Sequence, residues 1–187
     1  MKNIVIIGAG DLGKELVWLI EDINKRNPTY LILGYLDDDI SKNTYSFNGY
    51  RVLGDTSKLE ELNKSTPFSA VLAIGDGKTR RKIVEMHPGF DSWETIIHPT
   101  AVIASSTKIG KGCIVFPHVT ASVDSYFGKF CLIHIHAVVC NDCWIGNYAS
   151  VMANATISEY AQIESESTIC VGETILPRTK QTKEGDD

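Results

Sequence analysis

A chain of 187 residues with 43% apolar and 22% charged residues has the make-up of a globular protein, long enough for one or two domains with a sizeable core. Its formal charge of -5 speaks against nucleic acid or an anionic membrane surface as a partner. No apolar run reaches the length that spans a bilayer, and Met1-Lys2-Asn3 leads straight into Ile4 to Gly8 without a signal peptide's cleavage region, so the expected location is the cytoplasm.

Ile4 to Ile7 is a short run of β-formers ending in Gly8-Ala9-Gly10-Asp11-Leu12-Gly13, after which Leu12, Leu16, Leu19, Ile20 and Ile23 recur at helical spacing. Strand, glycine turn and helix in that order open a parallel α/β unit. Asn27-Pro28 breaks the helix, Tyr30 to Leu36 reads as a second strand, and Asp37-Asp38-Asp39 follows it. Residues 40 to 49 are polar and turn-rich, and Tyr50 to Leu53 reads as a short strand. Ser57-Lys58-Leu59-Glu60 has the form of a capping box and predicts a short helix to about Lys64. Phe68 to Ile74 predicts a third strand closed by Gly75-Asp76-Gly77. Lys78 to Met86 predicts a helix stopped by Pro88, with Arg80 and Arg81 on a solvated face.

Gly8, Gly10 and Gly13 fit G-x-G-x-x-G in the context it requires, after a strand and at the start of a helix. Backbone amides at such a helix start favour an anionic group, and the missing side chains allow close approach. Asp37 or Asp38, after the second strand, is placed to accept hydrogen bonds from ribose hydroxyls, and Gly75 falls at the end of a strand, where open α/β sheets bind ligands. This points to a nucleotide or nucleotide-sugar site. The plainer alternative is a tight turn that needs glycine for packing.

From Ile103 to Ile175 a bulky apolar residue returns at every sixth position, through Ile109, Val115, Phe127, Ile133, Val139, Ile145, Val151, Ile157, Ile163 and Ile169, with only Ala121 small. Two residues earlier runs a second series without large or charged side chains, from Ala101 and Thr107 to Ala161 and Ser167. Neither a helix period of 3.6 nor a strand period of 2 generates an unbroken period of six. A solenoid of three short strands per coil does. The expected architecture is an α/β N-terminal Rossmann-like domain over 1–92, a left-handed parallel β-helix of about four coils over 93–177, and a polar tail over 178–187. All five cysteines lie in the hexads; Cys113, Cys131 and Cys143 fall in the small series and read as buried fillers. The Cys140–Cys143 pair has no second pair at zinc spacing, so no metal is expected.

The glycine-turn domain, the Ile97-His98-Pro99-Thr100-Ala101 junction and the hexads together resemble the bacterial sugar O- and N-acyltransferases. That family includes the sialic acid O-acetyltransferases and the nucleotide-amino-sugar N-acetyltransferases. The likeness runs over nearly the whole chain. It implies an N-terminal domain that binds a UDP-sugar through the glycine turn and the acidic pair. It also implies a β-helix that forms a homotrimer, with acetyl-CoA between neighbouring β-helices. The implied activity is transfer of an acetyl group to a sugar amine or hydroxyl in the synthesis of surface glycans.

Such a transfer needs a base for the proton released as the nucleophile attacks the thioester, and His is the usual choice. The family's His-Asp/Glu-Cys-x-Ile-Gly pattern matches Asn141-Asp142-Cys143-Trp144-Ile145-Gly146, in which Asn replaces the His. An amide cannot take up that proton. Seven residues earlier, where the family often carries Asn, this chain has Leu132-Ile133-His134. The expectation is that His134 supplies the base or positions the acceptor, that Asn141 takes the hydrogen-bonding role, and that Asp142 is retained beside it. His118 and His136 are one coil apart and should stack about 4.8 Å apart; packing at a trimer interface is preferred for them over a role as base. His98 is expected to be structural and His87 a helix-terminal residue. Family members run one or two coils further, so the donor site is expected to be incomplete or differently built. The competing assignments are a non-catalytic relative that binds a nucleotide-sugar or serves as a trimeric assembly module, and a dinucleotide-binding protein whose β-helix only trimerises.

Overall fold

The computed structural model describes residues 1–39, 41 and 46–177. The expected tail at 178–187, and residues 40 and 42–45 of the expected turn region, lie outside the described residues. The N-terminal elements are β1 (Lys2–Ile7), α1 (Asp11–Arg26), β2 (Tyr30–Leu36), a small hairpin of β3 (Ser46–Phe47) and β4 (Tyr50–Arg51), α2 (Leu59–Ser65), β5 (Ser69–Leu72) and α3 (Gly77–Met86). The strands β2-β1-β5 form a parallel sheet with β1 in the middle. Covered on both faces, β1 reads as an unbroken apolar run rather than an alternating one. Ile4 and Ile6 face α1, with Leu16, Leu19 and Ile20. Val5 and Ile7 face α2 and α3, with Leu59 and Ile83.

The expected capping box does not form. Asp55 caps a single 3-10 turn at Thr56–Lys58 by accepting from the Ser57 amide, and α2 starts at Leu59 with no side-chain cap. The same turn is held from outside by Asp38, whose Oδ1 accepts from both the amide and the hydroxyl of Thr56. At α3 the cap is Asp76, which accepts from the Thr79 amide at 2.7 Å and its hydroxyl at 2.6 Å.

Fourteen two-residue strands then run from Ile96–Ile97 to Thr174–Ile175, each but the last three paired in parallel with the strand 18 residues on, as Thr120 pairs with Val138. They make three sheets of 5, 4 and 5 strands, the walls of a left-handed parallel β-helix. The hexads therefore begin one step earlier than Ile103, at Ile97. The large series fills the axis and the small series packs beside it, from Cys113 and Val115 to Ala155 and Ile157 with at most 2% exposure. Phe127 directly follows the small Ala121 in the large series, and both are buried in the same core.

The corners carry a third period of six. Gly112, His118, Asp124, Phe130, His136, Asp142, Tyr148, Asn154, Tyr160, Glu166 and Gly172 all have φ between 57° and 75°. For His, Phe, Tyr and Glu that conformation costs about 1–2 kcal/mol per residue. It persists because the ladder bonds on either side over-determine it.

One face of the β-helix lies against the α/β layer. Ile114, Phe116 and Leu132 share a core with Ile4, Leu16 and Val17. On the other side of the sheet Trp93, bridged to Ala70, stacks edge-on against Phe130 with centroids 5.6 Å apart.

Candidate functional site

A cleft of about 430 Å³ opens at the C-terminal ends of β1, β2 and β5, lined by Gly8, Gly10, Asp11, Asp37, Asp38 and Gly75 among others. The three turn glycines do different work. Gly8 has φ +105 and a Cβ there would lie 2.7 Å from the Ala73 carbonyl oxygen; a Cβ on Gly13 would lie 2.2 Å from the Gly8 carbonyl oxygen. Packing accounts for both. It does not account for Gly10, where a Cβ would meet nothing within 4 Å. Gly10 is the N-cap of α1 and makes no side-chain cap, so the start of a 16-residue helix faces the cleft and, among the described residues, its first amides meet no acceptor.

The acidic pair is divided. Asp37 braces the turn: its Oδ2 accepts from the Ala9 amide at 2.7 Å and its Oδ1 from the Asp39 amide at 2.9 Å. Asp38 gives Oδ1 to Thr56 and lines the cleft at its outer side. Gly75 lies on the cleft, and its carbonyl accepts from Arg80 Nη1 at 2.8 Å and Ser150 Oγ at 3.0 Å. Arg80 is thus not on a solvated face as the sequence suggests; it is 2% exposed and inserted between α3 and the β-helix. Its neighbour Arg81 is the exposed one, paired with Glu85 and Glu166, and those carboxylates hold its guanidinium proton more tightly than usual.

His134 leaves the β-helix toward α1. Its Nε2 lies 2.9 Å from Glu15 Oε2, its ring stacks on Phe116 with centroids 4.5 Å apart, and its Nδ1 is buried with no hydrogen-bond partner. Glu15 stands one helical turn beyond Asp11, a residue of the cleft. Asn141 and Asp142 occupy the next corner of the coil, joined by an Asn141 Nδ2 to Asp142 Oδ2 bond of 2.8 Å, with Asp142 exposed. The structure therefore brings Gly8, Gly10, Asp37, Asp38 and Gly75 together around one cleft, with Gly13 packed beneath the turn rather than lining it, and sets His134 against α1, the helix that starts there. Within one chain it places Asn141 and Asp142 on a different edge.

His118 and His136 stack as the period requires, with centroids 4.9 Å apart, on an exposed corner. His98 is structural: Nε2 meets Asp22 Oδ2 at 2.9 Å and Nδ1 meets Thr100 Oγ1 at 2.8 Å, tying the first coil to α1. The His98 hydrogen bond holds the Asp22 carboxyl below its ordinary value. His87, expected only to end a helix, is buried with Nδ1 at 2.9 Å from both Glu60 oxygens. The Arg80 joint went unseen in the sequence, where Arg80 read as a solvated helix charge, and Glu15 was not singled out there at all. Among the described residues, no group of three or more His, Cys, Asp or Glu is placed to hold a metal ion, and no helix is long and apolar enough to cross a membrane.

Residues 3–87 match the family described as the PglD N-terminal domain. The chain is 32% identical over 117 residues to the UDP-N-acetylbacillosamine N-acetyltransferase of Bacillus subtilis (strain 168), a match over 62% of this chain and 51% of that protein. It is 30% identical over 124 residues to the GDP-perosamine N-acetyltransferase of Escherichia coli O157:H7, over 64% of this chain and 53% of the other. The chain spans about half the length of the curated relatives it matches. The acetyltransferase domain of PglB from Neisseria gonorrhoeae FA1090, in complex with acetyl coenzyme A, has the same fold with a TM-score of 0.82 and 28% identity, over 92% of this chain and 81% of that one.

Proposed function

We propose that the chain belongs to the sugar acyltransferases with a hexapeptide-repeat β-helix, which its similarities support, and that it moves an acetyl group from acetyl-CoA to the amine of a nucleotide-linked sugar. One observation carries this reading. The cleft at the strand ends lies under the uncovered start of α1, and His134 meets the same helix one turn along at Glu15. A diphosphate on those amides leaves its sugar to extend along α1 toward the joint with the β-helix. Residues 1–92 hold the nucleotide-sugar, with Gly10 and Gly75 giving room, Gly8 and Gly13 letting the turn close, Asp37 bracing that turn and Asp38 meeting the nucleoside. Residues 93–177 form the acyl-donor part, in a homotrimer with acetyl-CoA between neighbouring β-helices. Both substrates are taken to be cytoplasmic. The relatives' names, which specify UDP- and GDP-linked sugars, and the acetyl coenzyme A of the Neisseria complex support the substrate classes.

In the reaction the amine nitrogen attacks the thioester carbonyl, loses a proton to His134, and the C–S bond breaks as the CoA sulfur departs and is protonated. Asn141, which lies on a different edge from His134 within one chain, would have to come from a neighbouring subunit of the trimer to donate a hydrogen bond to the acceptor or the developing oxyanion, with Asp142 holding it. A second reading, a non-catalytic nucleotide-sugar binder, is favoured by two observations: the side chain at 141 is an amide, and the Nδ1 of His134 is buried without a partner. Thiol release from acetyl-CoA with UDP- and GDP-linked amino sugars separates them. Turnover by the wild type, abolished in His134→Ala, supports the enzyme; no thiol release with any acceptor and no CoA binding by calorimetry refutes it. Sedimentation tests the trimer.

A further inference from the structure

Arg80 carries a charge that the fold removes from water and that, among the described residues, no carboxylate meets in a hydrogen bond, Asp76 acting on it only through space. Its Nε donates to the Phe130 carbonyl at 3.0 Å, and its Nη1 to the carbonyls of Ile74 and Gly75, both at 2.8 Å. Its Nη2 reaches Tyr148 O, Ala149 O and Ser150 Oγ at 2.6, 3.2 and 3.0 Å. The donors of the guanidinium fork are thereby saturated. Desolvation weakens its hold on the proton, a cost that an apolar side chain of the same volume would avoid. Ser150, with no exposure, adds a bond to Gly75 O at 3.0 Å. Two of these acceptors, Ile74 and Gly75, line the cleft; the rest belong to the β-helix. The joint already has an apolar core in Phe116, Leu132 and Phe130. Apolar contact is non-directional; the fork adds a fixed orientation.

We propose that Arg80 is a positioning residue that fixes the floor of the cleft against the β-helix, so that a nucleotide-held acceptor stands in register with the acyl donor. This rests on the function proposed above. Lysine keeps the charge but, with three donors on a point charge, cannot span these carbonyls. The experiment compares wild type, Arg80→Lys and the milder Ser150→Ala. It measures UDP and GDP binding by calorimetry, and acetyl transfer to a nucleotide-linked amino sugar and to the same amino sugar free. The expected loss in Arg80→Lys is about 100-fold in kcat on the linked acceptor, with nucleotide Kd and the rate on the free sugar within about 3-fold. Ser150→Ala is expected to lose about 10-fold in the same pattern. Equal losses on both acceptors, a Kd weakened as much as the rate, or no loss in either variant overturns the proposal. Should the wild type acetylate neither acceptor, the proposed function falls, and hydrogen exchange then decides. Faster exchange at the amides of residues 130–132 and 148–150 in Arg80→Lys, with nucleotide Kd unchanged, supports a joint that sets position; unaltered exchange overturns it.

Discussion

Gly75 and Gly77 stand two residues apart, one on the cleft and one at the joint, and alanine at each separates the two roles. A Cβ on Gly75 meets nothing within 4 Å, whereas one on Gly77 falls 2.3 Å from the Tyr148 carbonyl oxygen and 3.0 Å from Glu166 Cα. To reach ordinary contact the start of α3 must lift by about 1 Å. That movement stretches the 2.6 Å bond from Arg80 Nη2 to the same carbonyl. Overpacking of this kind costs about 1–3 kcal/mol, and carbonyls left without donors add about 1–3 kcal/mol. Alanine in a first helical turn regains up to about 1 kcal/mol over glycine. The expected net loss is about 2–4 kcal/mol for Gly77→Ala, against about 0.5 kcal/mol or less for Gly75→Ala. At about 2–4 °C per kcal/mol, Gly77→Ala melts about 5–15 °C below wild type. Calorimetry gives the midpoint, and fluorescence of Trp93, buried against Phe130, reports the joint itself. A Gly77→Ala protein that melts with Gly75→Ala would refute the close approach on which the clasp depends.

Ile145 lies on the coil axis with no exposure, so Ile145→Ala should cost about 2–5 kcal/mol in urea unfolding; a loss below about 1 kcal/mol would mean the axis is not close-packed. Asp37→Ala removes the acceptor that braces the Ala9 amide. UDP or GDP binding should weaken about 10-fold by calorimetry, and unchanged affinity would remove Asp37 from the site. The His98 bond depresses the Asp22 carboxyl, which contributes stability in full above its unfolded value of about 3.9 and loses it as pH falls through the lower folded value. Asp22→Asn should therefore flatten the decline of Tm below about pH 4, and parallel acid limbs would exclude the effect.

The fold was legible where one residue type answers one physical demand. The axis of a triangular coil accepts only apolar side chains of limited size, so its period survives in the sequence from Ile103 to Ile175. The corner period was not legible, although it is as regular. A left-handed corner asks for a backbone conformation, and here Phe130, Tyr148 and Glu166 satisfy it as Gly112 does. The side chains at those corners answer to their neighbours instead, as the stacking of Phe130 on Tyr148 at 5.2 Å illustrates. Arg80 was misread for the opposite reason. A helix that looks amphipathic by itself has two buried sides when a β-helix packs against the polar one.

The same geometry bears on the imidazole. His134 and Asn141 are seven residues apart, and neighbouring corners are six apart. An exchange of His and Asn between those positions therefore moves the ring from one edge of the coil to the next; it is not a step along one edge. The ring then has a different partner. At 141 it would sit beside Asp142, on an exposed corner of the β-helix. At 134 it meets Glu15, a residue of the helix whose start opens on the cleft. Relocation thus exchanges a carboxylate that belongs to the β-helix for one that belongs to the nucleotide-binding layer. A base held that way depends on the joint between the two parts, which is where Arg80, Ser150 and Gly77 place their constraint.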